Sequence, residues 1–292
     1  MSTTDPYVAR ARGRGALSND SSRFDPYVRE AVDDGWARDE DIPPLRTEVR
    51  VERPRSVITR NGSPDISFDR SINPYRGCEH GCVYCFARPS HAWLGYSPGL
   101  DFETKLVARP TAPGVLEKEL AKPGYSPAPI AIGTNTDPYQ PIERDYLVMR
   151  RLLEVLAAHK HPVTITTKGT LVERDIDILA PMTAKGLVSV GLSVTTLAAD
   201  LSRAMEPRCP LPFRRLKTIE RLTAKGIPVR VMASPVVPGL TDLETEAILE
   251  AARDAGATAA SAILLRLPRE VSAQFRDWLE DAVPTKAAKV LA

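Results

Sequence analysis

The chain has 292 residues, of which 39 are Lys or Arg and 37 Asp or Glu, for a formal net charge of +2 at neutral pH. So even a balance sets up no broad field of one sign, and net charge therefore gives no case for a nucleic-acid or anionic-membrane partner. No apolar run reaches the roughly 18 residues of a membrane span, and residues 1–30 hold no apolar stretch of the secretory kind, which points to a reducing, cytoplasmic location.

Residues 1–60 read as an N-terminal extension. Arg10, Arg12 and Arg14 alternate with small residues, acidic side chains at Asp33, Asp34, Asp39, Glu40 and Asp41 balance them, and the first lysine is Lys105. Sparse, non-periodic apolar residues predict a loosely ordered, solvated segment, with Phe24, Tyr27, Val28 and Trp36 able to dock a short stretch of it. A basic nucleic-acid arm is the other reading, and the neighbouring acids cancel most of its field.

Residues 61–292 carry a different pattern and form the predicted core domain. A first strand is expected over residues 65–71. Apolar, β-branched runs then recur at Ile130–Ile132, Val163–Thr167, 188–194, 229–232 and 262–267, as buried parallel strands require. Helical periodicity fills the gaps. Met149, Leu152, Leu153 and Leu156 follow one helix face, as do Leu243, Ala247, Ile248, Ala251, Ala252 and Ala255, and Gly186, Gly226 and Gly256 stand where C-terminal cap glycines belong. About six alternating strand–helix units predict a parallel sheet with helical cover, either doubly wound or closed toward a barrel.

The first strand runs into the most informative segment. Cys78, Cys82 and Cys85 fall within eight residues in a CX3CX2C spacing, and the chain has one further cysteine, Cys209. Thiolates suit zinc or iron–sulfur clusters, closed structural sites take four protein ligands, and three clustered thiolates leave a coordination position open for a small molecule. A disulfide would strand one thiol, and the polar neighbours Arg76, Glu79 and His80 do not suit a core. A zinc site completed by His80, His91 or Cys209 stays open on these residues alone.

In parallel α/β folds the ligand site lies at the carboxyl ends of the strands. Those ends are polar here: Asn135, Thr136 and Asp137 after the second strand, Lys168 after the third, Ser193 and Thr195 on the fourth, and the turn holding Val237 after the fifth. Glu206, Arg208, Arg214 and Arg215 follow the fourth strand, where arginine could pair an anion or simply make surface ion pairs.

The cysteine spacing, the aromatic Tyr84 before the last thiol and the preceding Asn73-Pro74-Tyr75-Arg76-Gly77 resemble the radical S-adenosylmethionine (radical SAM) superfamily, and within it the spore-photoproduct-lyase-related branch of unassigned substrate. The resemblance implies an open partial (β/α)6 TIM-type barrel as the α/β core. It implies a 4Fe-4S cluster on Cys78, Cys82 and Cys85, S-adenosyl-L-methionine on the remaining iron, and a low-potential electron donor such as flavodoxin or ferredoxin. It also implies reductive cleavage to a 5′-deoxyadenosyl radical that acts on an unidentified substrate, with nucleic acid a candidate. By the same resemblance Asn135, Thr136 and Asp137 replace a glycine-glycine-glutamate segment that holds the cofactor amino group. Lys168 would contact its carboxylate, Ser193 its ribose, Tyr84 and Val237 its adenine, and Arg208 is a further cofactor-binding candidate. Cys209 lies mid-chain rather than near the C-terminus, where spore photoproduct lyase has its hydrogen-donor cysteine, so direct reversal of thymine photodimers by that route does not follow.

Overall fold

The computed structural model describes residues 13–27, 45–64, 66 and 68–291. Seven strands form the main sheet: β2 (Thr59–Arg60), β3 (Arg70–Ile72), β6 (Ile130–Ile132), β7 (Val163–Thr167), β8 (Val188–Ser193), β9 (Val229–Val236) and β10 (Ala259–Leu264), in the order β10-β9-β8-β7-β6-β3-β2. The pairs from β3 to β10 are all parallel, and β2 adds to the β3 edge antiparallel. The six parallel strands do not close on themselves, as an open barrel requires. A second sheet places β5 (Lys105–Ala108) between β1 (Glu48–Val51) and β4 (Tyr75–Arg76).

Alternation along the strands sets the layers. Val163, Ile165 and Thr167 of β7 and Val229, Val231 and Ala233 of β9 are buried, whereas Thr164 and Arg230 between them are exposed. The buried side packs on Leu152, Leu153 and Leu156 of helix α1 (Val148–Ala158), Leu179 of α2 (Ile176–Thr183), Ile219 and Leu222 of α3 (Pro212–Thr223) and Ile248 and Ala252 of α4 (Thr245–Asp254). Each such side chain contributes roughly 1.5 to 3 kcal/mol on full burial, so this layer holds the strand ends in place. The opposite face carries Thr164, Thr166, Arg230, Met232 and Ser234, none of them fully buried, and is open.

Expected and observed elements differ at several ends, the strand expected over 188–194 closing one residue earlier at Ser193. The first strand begins at Arg70, and residues 65 and 67 lie outside the described residues. β9 continues to Val236, and β10 starts at Ala259 rather than residue 262, because its small residues Ala259, Ala260 and Ser261 pair in register with Arg230, Val231 and Met232. Leu243 precedes α4 and is 88% exposed. Gly186, Gly226 and Gly256 have φ of 66°, 75° and 98°, the left-handed geometry expected of caps.

Residues 1–60 meet the core at several described places: β1 pairs with β5, β2 with β3, Asn19 bonds to Asp101, Arg23 pairs with Glu270, and Arg14, Gly15 and Ala16 are buried. Phe24 is half exposed and docks its ring on Trp93 at 4.7 Å between centroids, whereas Tyr27 is 82% exposed. Arg10, Arg12, Val28, Trp36 and the acidic residues 33–41 lie outside the described residues.

Candidate functional site

The cysteine loop leaves β4 at Gly77 and is gripped from several elements. Cys78 N–H donates to Phe102 O at 2.9 Å, Val83 N–H to Met205 O at 3.1 Å, and Arg208 N–H to His80 O at 3.3 Å. Gln140, just beyond β6, spans the loop: its Oε1 accepts from Glu79 N–H at 3.0 Å and its Nε2 donates to Gly77 O at 3.1 Å. Arg88 donates through Nε and Nη2 to Cys82 O at 3.0 and 2.9 Å, and pairs with Glu103; both side chains are fully buried. Gly77 and Gly81 have φ of +72° and +67°, and a Cβ at either would lie under 3 Å from packed neighbours, so only glycine fits these two turns.

The loop also reaches the polar strand ends. His80 Nδ1 lies 3.3 Å from Asp137 Oδ2. Asp137 further accepts from Thr167 Oγ1 at 2.6 Å, Lys168 N–H at 2.7 Å and Tyr139 N–H at 2.8 Å, so its carboxylate ties β6, β7 and the loop together. Asn135 N–H donates to Asn73 Oδ1 at 3.1 Å, and the Thr136 hydroxyl to Tyr75 O at 2.9 Å. Arg208 pairs with Glu79 at 3.3 Å.

Tyr84, Cys82 and Val237 share one buried apolar cluster with Met205 and Trp278, and the Lys168 ammonium stands 5.7 Å from the Tyr84 ring centroid. The Tyr84 hydroxyl donates to Glu206, which also accepts from Thr195 Oγ1 at 2.8 Å and pairs with Arg215. Arg215 then donates to Ser193 O at 3.1 Å. Arg215 is thus spent inside the fold, while Arg214 and Arg221 form surface pairs with Glu173. The fourth cysteine joins the group: Cys209 Sγ is 3.9 Å from Cys82 Sγ.

Charge follows from these contacts. The bond with Cys209 is the chief influence that brings the Cys82 thiol down to about 7, against the cost of burial. Burial, reinforced by Cys82, pushes the Cys85 thiol up to about 12. Burial would raise the Glu206 carboxyl, but Arg215 and Lys168 outweigh it and hold it at about 2; His80 does the same for Asp137. Apoprotein alkylated across a pH series should therefore show Cys82 modification rising through about pH 7, with Cys85 slow wherever the fold is intact. Peptide mass spectrometry checks this, and equal midpoints for the two thiols would contradict it.

The structure brings the eleven candidates into one contact network around the loop and strand ends, through the bonds and packing above: Cys78, Cys82, Cys85, Tyr84, Asn135, Thr136, Asp137, Lys168, Ser193, Arg208 and Val237. Cys85 closes the loop, with its N–H on Cys82 O at 3.2 Å. Sequence reading did not single out Gln140, Arg88 or Glu103 and took Arg14 only as part of a basic run; their contacts, such as Arg88–Glu103, Gln140–Gly77 and Arg14–Glu103 at 15, 63 and 89 residues apart, leave no periodic trace. Among the described residues no three His, Cys, Asp or Glu side chains converge on one metal ion. A four-iron cluster needs no such convergence, since each thiolate binds a different iron.

A family model described as the radical SAM superfamily matches residues 72–252. An uncharacterised protein of Mycobacterium tuberculosis (strain H37Rv) is 39% identical over 221 residues, 75% of this chain and 65% of that protein's own length. An uncharacterised protein of Methanocaldococcus jannaschii is 28% identical over 173 residues, 59% of this chain and 62% of the relative. The chain therefore spans a little under two thirds of the curated relatives it matches. Among solved structures, spore photoproduct lyase complexed with a dinucleoside spore photoproduct superposes with a TM-score of 0.57 at 14% identity, covering 82% of this chain and 67% of that one. A variant of that lyase with bound S-adenosylmethionine (AdoMet) and dinucleoside spore photoproduct gives 0.58 at 16% identity, covering 82% and 66%. At such identities the likeness is one of fold.

Proposed function

The chain belongs to the radical SAM superfamily, and from that membership we propose that it is an enzyme that holds a 4Fe-4S cluster on Cys78, Cys82 and Cys85 and uses S-adenosylmethionine to attack a substrate still to be identified. The observation that carries the reading is the clamped loop: three thiols on a backbone held by Gln140, Arg88, Phe102 O and Met205 O, opening beside the polar carboxyl ends of parallel strands. The residues suit the group, because thiolates in a buried, apolar setting are what such clusters take. When bound, the cluster and S-adenosylmethionine together supply one-electron cleavage to methionine and a 5′-deoxyadenosyl radical able to abstract hydrogen.

The chain's own residues bind and orient. Lys168 presents a cation at the end of β7, with its backbone N–H fixed by Asp137. Burial opposes its charge, but Cys82 and Glu206 outweigh the burial and raise its pKa, so the ammonium stays charged and can meet an anionic ligand group. Tyr84 and Val237 offer an apolar wall, and Ser193 and Thr195 stand on β8 and its end. Nucleic acid is a candidate substrate because the superposed lyase carries a dinucleoside photoproduct, and the electron donor is expected to be a flavodoxin or ferredoxin.

One observation favours a second reading, a structural zinc or iron–sulfur loop without catalysis. Two thiolates on one zinc at about 2.3 Å each would stand near the Cys82–Cys209 separation of 3.9 Å. The described residues bring no third ligand to that pair. Metal content separates the cluster from a zinc loop: iron with equimolar sulfide and brown absorbance supports the cluster, and colourless protein with zinc overturns it. Lys168→Ala is expected to weaken S-adenosylmethionine binding by more than about 1 kcal/mol, since charge-assisted bonds contribute roughly 1.5 to 3. Unchanged affinity in a titration of the iron-loaded protein would remove Lys168 from the site.

A further inference from the structure

The N-terminal segment crosses behind the cysteine loop at backbone distance. A Cβ on Gly15 would lie 1.7 Å from Gly81 O, and Gly81 stands between Cys78 and Cys82. Gly15 N–H and Ala16 N–H donate to the two oxygens of Glu103 at 2.9 and 2.8 Å. Glu103 pairs with Arg88, and Arg88 donates twice to Cys82 O. A second path starts at Arg14, whose guanidinium donates to Glu103 O at 3.0 Å, Leu45 O at 3.0 Å and Thr47 Oγ1 at 3.1 Å. The Thr47 hydroxyl in turn donates to Glu79, the residue after Cys78. Arg14, Ala16, Arg88 and Glu103 are all buried.

We propose that Arg14, Gly15 and Ala16 form a strap that positions the cysteine loop, reaching Cys82 through Glu103 and Arg88 and the neighbour of Cys78 through Thr47. The inference rests on the metal-binding reading of the loop, to which it adds a role for the extension. A buried carboxylate and two buried guanidinium groups are costly to desolvate, and they hold one arrangement of donors and acceptors where an apolar contact would tolerate several. The strap residues are positioning residues: they touch the loop backbone and leave the thiols free for their ligand.

The test uses full-length apoprotein, with iodoacetamide as probe and peptide mass spectrometry reading each cysteine separately. Wild type is compared with Gly15→Ala, Arg14→Ala, Arg14→Lys and, as control, Gly114→Ala, whose added Cβ meets nothing within 4 Å. Local release of the strap is expected to speed alkylation of Cys78 and Cys82 at least about tenfold in Gly15→Ala and Arg14→Ala, with amide exchange in β7 and β8 unchanged. Arg14→Lys should recover part of the protection, and Gly114→Ala should match wild type. In iron-loaded protein the same two variants should lose iron to a chelator faster than wild type. Rates equal to wild type, or a rise shared by every cysteine together with faster exchange in β7 and β8, would overturn the strap. Iron uptake by wild type is read in the same series and decides the metal-binding reading separately, since the alkylation comparison needs no metal.

Discussion

Alanine at any one of Cys78, Cys82 or Cys85 is expected to lower cluster iron per chain by about tenfold or more and to abolish turnover, while Cys209→Ala retains the iron, because in the proposed assignment each loop thiol serves a different iron and none has a substitute. Cys209 is the residue that could challenge this, since its sulfur lies 3.9 Å from that of Cys82. It approaches from the segment after β8, with its N–H bonded to Glu206 O at 3.0 Å, whereas the three loop thiols share one clamped backbone. Iron and sulfide assays on the four reconstituted variants check the assignment. Retention on Cys82→Ala with loss on Cys209→Ala would replace Cys82 by Cys209 in the ligand set.

Glu206→Ala should destabilise the fold by about 3 to 5 kcal/mol, the cost of leaving a buried charge without its partner. The Glu206 side chain is fully buried and that of Arg215 is 1% exposed, and Tyr84 and Thr195 lose their acceptor in the same substitution. Glu206→Gln keeps an acceptor but not the charge, and should cost less. Denaturant unfolding of the apoprotein measures both. An effect of Glu206→Ala under about 1 kcal/mol, the range of exposed pairs, would mean the pair is not the buried support described.

How much of this was legible in the sequence depends on the range of each signal. The runs at Ile130–Ile132 and Val163–Thr167 mark β6 and β7 residue for residue, because β-branched side chains buried on a parallel sheet leave a local signature. β10 was misplaced by three residues because Ala259, Ala260 and Ser261 carry no strand preference of their own; their pairing to β9 fixes them. Leu243 matched the helix period yet stands outside α4, since periodicity does not report where a helix starts. The three clustered thiols marked the candidate site. Their supports did not, since Gln140, Arg88, Glu103 and Arg14 act through contacts such as Arg14 to Glu103 that span 89 residues. Asp137, after β6, serves as the knot joining His80, Thr167 and Lys168, a duty only the folded chain reveals.

The most direct test of the account is electron paramagnetic resonance of the anaerobically reconstituted, reduced protein with and without S-adenosylmethionine, with 5′-deoxyadenosine assayed in parallel. The account predicts a cluster signal that shifts when the cofactor is added, and 5′-deoxyadenosine in the product. A signal indifferent to the cofactor, or a colourless protein holding zinc, would contradict it and make the cysteine loop a structural one.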